Sequence, residues 1–216
     1  MGHPLESANQ NAVSKASKIK VKQTEVIDFC QILLDGPIES CFSYIAEMQK
    51  SGHTLVSLYM NLIPASTRRL QELWENDVNS FTEVTIALGR AQNLIHQLSP
   101  IFMNEGNLSQ LKGNALLINA PGSQHTLGIL ILGEFFKLNG WNTTVEIEIS
   151  SEELRERVQS QAFDLLAISV SCDDQWDTIK PLLREIKQAS KNKGMITMMG
   201  GALFDHKPEL VEVCPA

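Results

Sequence analysis

Apolar residues over the first hundred positions recur at intervals of three and four, the spacing of one face of an α-helix. Between Thr24 and Leu34 the set is Val26, Phe29, Cys30, Leu33 and Leu34. "DGP" at Asp35–Pro37 ends that helix and opens another, with Pro37 in the first turn, where its missing N–H is not needed. Ile38, Cys41, Phe42, Ile45 and Met48 carry the second helix to "KSG". A third is expected from about Thr54 to Glu75, kinked or interrupted near Pro64, which lacks a backbone donor. Ser80 and Glu83 have the spacing of a capping box. Phe81, Val84, Leu88, Ala91, Ile95 and Leu98 then mark a helical seam that Pro100 is expected to end. Four amphipathic helices with short connections predict an antiparallel four-helix bundle over residues 23–102. "NEGNLSQLKG" reads as a polar linker, 103–112.

After Gly113 the pattern changes. "NALLINA" reads as a buried strand, followed by "APGSQHTLG" and a helix from Thr126 to Leu138 that Asn139–Gly140 closes. "NTTVEIEI" alternates and is β-branched, so it predicts a second strand. "SSEELRERVQSQ" has a Ser cap and an acidic first turn, and predicts a helix. "DLLAISVS" is strand three, "WDTIKPLLREIKQAS" the next helix, "GMITMMGG" strand four and "ALFDHKPELVEV" a short final helix. Repeated βα units with continuous apolar strands predict a parallel, doubly wound α/β sheet over 113–216.

Composition narrows the function. The net charge is −7, which argues against a surface made for nucleic acid. The clustered lysines 15, 18, 20 and 22 fall in a Ser/Asn-rich stretch read as a disordered arm, residues 1–22. No run is long enough to span a membrane and the N-terminus lacks a signal-peptide core, so a cytoplasmic protein is expected. Cys30, Cys41, Cys172 and Cys214 make no CxxC pair, and the first two fall on apolar helix faces as reduced core residues.

Ligands of open α/β sheets bind at the carboxyl ends of the strands. Three features fall there: Ser123, His125 and Gly128 after strand one, "SVSCDD" (Ser169–Asp174) at the end of strand three, and Gly200–Gly201 after strand four. Glycines allow close backbone approach, so together these describe a pocket for something large and flat. Taken alone, His125 is equally a helix-capping or solvated loop residue. "PGSQHTLG" lacks the second glycine of G-x-G-x-x-G, no G-K-[ST] follows as in a phosphate loop, and no G-x-S-x-G elbow is present. His3, His53, His96 and His206 show no metal-ligand spacing with His125. What survives is one imidazole offered as an axial ligand to a metal already held by a macrocycle.

The order of pieces resembles the cobalamin-binding fold: a four-helix cap, then a flavodoxin-like domain with D-x-H-x-x-G, S-x-L and G-G elements. They are matched by Ser123-x-His125-x-x-Gly128, Ser169-Val170-Ser171 and Gly200–Gly201. More narrowly, "HTLG", "ISVSCD", "MGGALF" and "WENDVNSFTEVT" resemble the AerR/PpaA regulators of photosynthesis genes, whose SCHIC domain is named for proposed heme binding instead of cobalamin. The resemblance covers about Thr24 to Val213. It implies that His125 is the lower axial metal ligand, displacing the cofactor's own benzimidazole. It further implies cofactor contacts from Ser123, Gln124, Thr126 and Gly128 on the first loop and from Ser169, Val170, Ser171 and Cys172 on the second. On the third loop Gly200 and Gly201, with Ser169 and Ser171, would accommodate the displaced nucleotide tail. Trp74 and Glu83 correspond loosely to the Trp and Glu of the cap in the light-sensing relative CarH, although Trp74 is also readable as a bundle core or rim residue.

Three departures from that pattern shape the expectation. Ser123 replaces the aspartate that would orient the histidine and raise its basicity, which leans from methyl transfer toward sensing. Val84 follows Glu83 where CarH has a histidine, which favours hydroxo- or aquocobalamin over adenosylcobalamin. Candidates for an upper histidine ligand are His53, His96 and His3. The chain also stops soon after "VEVCPA", where relatives continue into a fifth strand and helix; either it is trimmed or a short sheet has an edge to cover. The expected function is therefore a non-enzymatic, light-responsive cobalamin-binding regulator, antirepressor-like. With no DNA-reading element of its own, it would dock on a transcription repressor or other regulatory protein. The alternatives are a heme or redox sensor with His125 as heme ligand, a corrinoid carrier subunit of a methyltransferase, and a degenerate interaction module.

Overall fold

A computed structural model describes residues 19–105, 111–123 and 125–211. The chain divides into two compact units, Met1–Gly106 and Asn107–Ala216. Most of the expected disordered arm (1–18), Gln124 and the last five residues lie outside the described residues.

The first unit is helical: α1 (Gln23–Asp35), α2 (Ile38–Lys50), α3 (Leu55–Ser57), a π-helical turn (Leu58–Leu62), α4 (Ile63–Glu75) and α5 (Phe81–Met103). The 3-and-4 spacing of α1 becomes its buried face of Val26, Phe29, Cys30 and Leu33. Phe29 stacks on Tyr44 and Tyr59 on Phe102, with ring centroids 5.6 and 4.3 Å apart. The Arg90 guanidinium donates to the Leu33 and Leu34 carbonyls, supplying donors that the end of α1 lacks. Pro64 acts where expected. Just ahead of it the helix loosens, and Ile63 N–H reaches back five residues to the Leu58 carbonyl. Pro100 behaves differently from expectation, because α5 continues through it to Met103. So near a C-terminus the proline leaves one carbonyl unpaired but need not end the helix.

The second unit runs β1 (Gly113–Asn119), α6 (Leu127–Leu138), β2 (Trp141–Glu146), α7 (Ser151–Ser160), β3 (Leu165–Ser169), α8 (Asp173–Ala189), β4 (Ile196–Gly200), α9 (Ala202–His206) and a 3₁₀ turn (Pro208–Val211). Its four strands are all parallel in the order β2-β1-β3-β4. One sheet face packs Leu116 and Ile118 against Leu154, Val158, Ile179 and Leu183; the other packs Ala115, Leu117, Leu165 and Ala167 with Ile129. Cβ on Gly133 would stand 2.6 Å from Val145 Cγ2, so glycine there lets α6 close on the sheet. Expectation and structure differ at β2, which ends at Glu146, short of the alternating run, while Ile149 turns into the core ahead of α7. β4 is an edge strand, and its Ile196 and Met198 are exposed.

Candidate functional site

The strand order reverses between β1 and β3, whose carboxyl ends are the paired residues Asn119 and Ser169. That switch point is where open α/β sheets offer a crevice. All three sequence-predicted loops leave from this edge.

The loop after β1 is a turn with Gly122 at φ 81°, a conformation that side-chain-bearing residues rarely adopt. Ser123 N–H bonds to the Ala120 carbonyl at 3.0 Å, and the Ser123 hydroxyl accepts from His125 N–H at 3.3 Å. The serine therefore shapes the backbone and holds no ring nitrogen of His125. Ser123 is buried, while His125 and Gly128 are exposed and Thr126 is half-buried. No hydrogen bond to the His125 imidazole is found among the described residues.

The loops after β3 and β4 are tied together. Val170 N–H donates to the Gly200 carbonyl at 2.8 Å, and Leu203 N–H to the Val170 carbonyl at 3.2 Å. Gly201 has φ 115°, and a Cβ on it would lie 2.4 Å from the Val170 carbonyl oxygen, so only glycine fits. Gly200 differs: a Cβ there meets nothing within 4 Å. Ser171 N–H is held by Gln175 Oε1 at 2.8 Å, and Trp176 packs edge-on against Phe204 beneath the loop. Lys207 Nζ reaches Asp173 Oδ1 at 2.6 Å, a hydrogen bond that raises the lysine pKa above its ordinary value.

These placements separate the expected contact residues. Ser169 and Ser171 are half-buried at the edge, Gly200 borders open space, and Cys172 is an exposed residue at the N-cap of α8. Val170 is fully buried in the core beside Trp176, so its part is to hold the loops. Trp74 and Glu83 belong to the helical unit. Trp74 is 45% exposed and meets exposed Phe81 edge-on at 5.9 Å. Glu83 completes the capping box, accepting from Ser80 N–H at 2.7 Å, and these bonds hold its carboxyl below the usual range. Of the candidate upper ligands, His53 is buried with Nε2 3.8 Å from Glu25, His96 is exposed, and His3 lies outside the described residues.

Two residues escaped sequence reasoning. Gln175 anchors the second loop. Asn119, the last residue of β1, is 1% exposed and its Oδ1 and Nδ2 find no partner. The signal available was a lone carboxamide closing an otherwise apolar run, "LLIN".

Among the described residues no three His, Cys, Asp or Glu side chains converge as a metal cage. The donor set suits a group that brings its own coordination: one imidazole without a ring partner, open space at Gly128 and Gly200, and an orphaned buried carboxamide.

The molecule has a flavodoxin-like B12-binding fold, a parallel α/β sheet preceded by a helical region, and residues 113–214 match the B12 binding domain. Similarity reaches particular proteins as well. An uncharacterized 20.5 kDa protein in the bchF-crtJ intergenic region of Rhodobacter capsulatus is 28% identical over 147 residues, 68% of this chain and 76% of that protein. The monomethylamine corrinoid protein of Methanosarcina barkeri shares the fold, with TM-score 0.71 at 16% identity over 90% of this chain and 92% of that one.

Proposed function

We propose that this protein binds cobalamin through His125 and uses it as a regulatory, light-responsive group. The observation that carries the reading is an exposed imidazole, with no ring partner, at the carboxyl edge of a segment that matches the B12 binding domain. His125 would donate a ring nitrogen to cobalt. Ser169, Ser171 and Gly200 would border the displaced nucleotide tail, and Gly201 and Val170 would keep that border fixed. Cobalamin, when bound, would supply a light-sensitive bond between cobalt and a further ligand.

What the chain does with that change follows from Ser123. Its hydroxyl is spent on the loop backbone, so Ser123 does not give the imidazole ring the hydrogen bond that an aspartate there would. That supports holding and sensing over methyl transfer. The regulatory reading is supported by the resemblance to photosynthesis-gene regulators of the AerR/PpaA type and by the bchF-crtJ location of the Rhodobacter relative. The output would be docking on a transcription repressor or other regulatory protein, with the ligation state biasing a two-state element.

Reconstitution tests this directly. The protein is mixed with hydroxocobalamin or adenosylcobalamin in the dark, separated from free corrinoid by gel filtration, and its spectrum recorded before and after illumination. Co-elution with a light-dependent band shift is expected. If both corrinoids elute free, cobalamin binding is wrong. Co-elution with a light-insensitive spectrum removes the light response alone.

A further inference from the structure

Asn119 poses a problem that the expected contact residues leave unsolved. It is almost fully buried, and among the described residues neither its side-chain nitrogen nor its side-chain oxygen has a partner. Leaving such groups unpaired costs on the order of 1–3 kcal/mol each, so they persist where something else completes them. The position is informative. Asn119 pairs in register with Ser169, and Ser169 with Gly200, so the three form one row across the carboxyl end of the sheet. By strand alternation this row shares the face of Ala115, Leu117, Leu165 and Ala167. The row thus reads, from β1 to β4, as a carboxamide, a hydroxyl, and a glycine beside which a Cβ would find open space.

We infer that Asn119 binds the nucleotide tail of the corrinoid, its Nδ2 donating to and its Oδ1 accepting from the tail's polar groups. This rests on the cobalamin reading above and adds a contact residue to it. The chemistry matches. A carboxamide offers a donor and an acceptor side by side, and a nucleotide carries acceptors on its base and phosphate and both kinds of group on its ribose. The Ser169 hydroxyl offers one donor and an acceptor on a single atom. Asn119 beside it adds a separate donor and a separate acceptor, so the row can meet several polar groups of the tail at once.

The near-isosteric variant N119L separates ligand binding from folding, because the two readouts move oppositely. Removing unpaired buried polar groups without changing shape is neutral or stabilising, so the ligand-free melting temperature should hold or rise. The dissociation constant for cobalamin should weaken by about tenfold or more. The constant for cobinamide, the same corrin without its nucleotide, should stay within about twofold of wild type. N119S, which adds no bulk, should show the same selective loss and guards against a mere packing failure. A wild-type chain that binds neither corrinoid defeats the cobalamin reading itself. If wild type binds cobalamin and N119L and N119S bind it equally tightly, only the Asn119 assignment falls. Equal losses for cobalamin and cobinamide, or ligand-free variants that melt lower or fail to fold, also overturn it.

Discussion

The two sides of the same sheet edge are built on opposite terms. The loops after β3 and β4 are bonded backbone to backbone through Val170, locked by a glycine that no other residue can replace, and buttressed by Trp176 on Phe204. The loop after β1 is tied to β3 only at its root, by Ala120 N–H on the Ser169 carbonyl; among the described residues it then closes one turn through Ser123, leaves His125 exposed, and leaves the Asn119 carboxamide unanswered beneath it. A site for a large cofactor gains from this division, since one wall can be preorganised while the other presents groups without protein partners of their own. In the proposed site, groups without protein partners on one side would face an over-determined backbone on the other.

The largest effect should come from H125A. Corrinoid affinity is expected to fall by about a hundredfold or more, as loss of a metal ligand implies. An exposed side chain with no ring partner should change unfolding free energy by less than about 0.5 kcal/mol. Titration of the corrinoid absorbance and urea unfolding measure the two. Equal losses in both would erase the distinction between the walls.

G201A should do the reverse. It forces a Cβ into a left-handed backbone against the Val170 carbonyl and should cost about 2 kcal/mol or more in urea unfolding. Affinity then falls through the displaced loop. A stable G201A chain would mean that this wall is softer than its geometry implies.

S123A should cost about 0.5–1 kcal/mol, the range for one hydrogen bond. The bound corrinoid's spectrum should stay unchanged, because the hydroxyl meets backbone and not the imidazole. A shifted spectrum would place Ser123 on the ring.

The smallest effect concerns the tie from Lys207 to Asp173. The folded lysine pKa is raised by its hydrogen bond to Asp173, so the tie stabilises at neutral pH and is lost as pH rises through the folded value. Wild type and K207M should differ slightly in melting temperature at neutral pH and converge in strong alkali.

Much of this was legible in the sequence because local rules decide it. The capping boxes at Ser80–Glu83 and Ser150–Glu153 form as their spacing requires, and the β-branched and apolar runs become strands in a parallel sheet. Boundaries that depend on tertiary pairing were less legible. β2 stops at Glu146, opposite Ile118 and one residue short of the end of β1, and α8 starts at Asp173, three residues before the apolar pattern begins. That His125, Ser169 and Gly200 lie at the carboxyl edge of the sheet could be read from loop position alone. Val170 was read as a contact residue because it sits inside "SVS", yet alternation turns its side chain into the core. Asn119 stayed hidden because an unpaired carboxamide becomes visible only when its surroundings are known.

The most direct test of the central claim is the electron paramagnetic resonance spectrum of bound cob(II)alamin in protein uniformly labelled with heavy nitrogen. If His125 is the lower ligand, the labelled protein converts the triplet superhyperfine splitting of the axial nitrogen to a doublet, and H125A loses that doublet. A triplet that persists in the labelled protein means that cobalt keeps the cofactor's own benzimidazole, which contradicts the account.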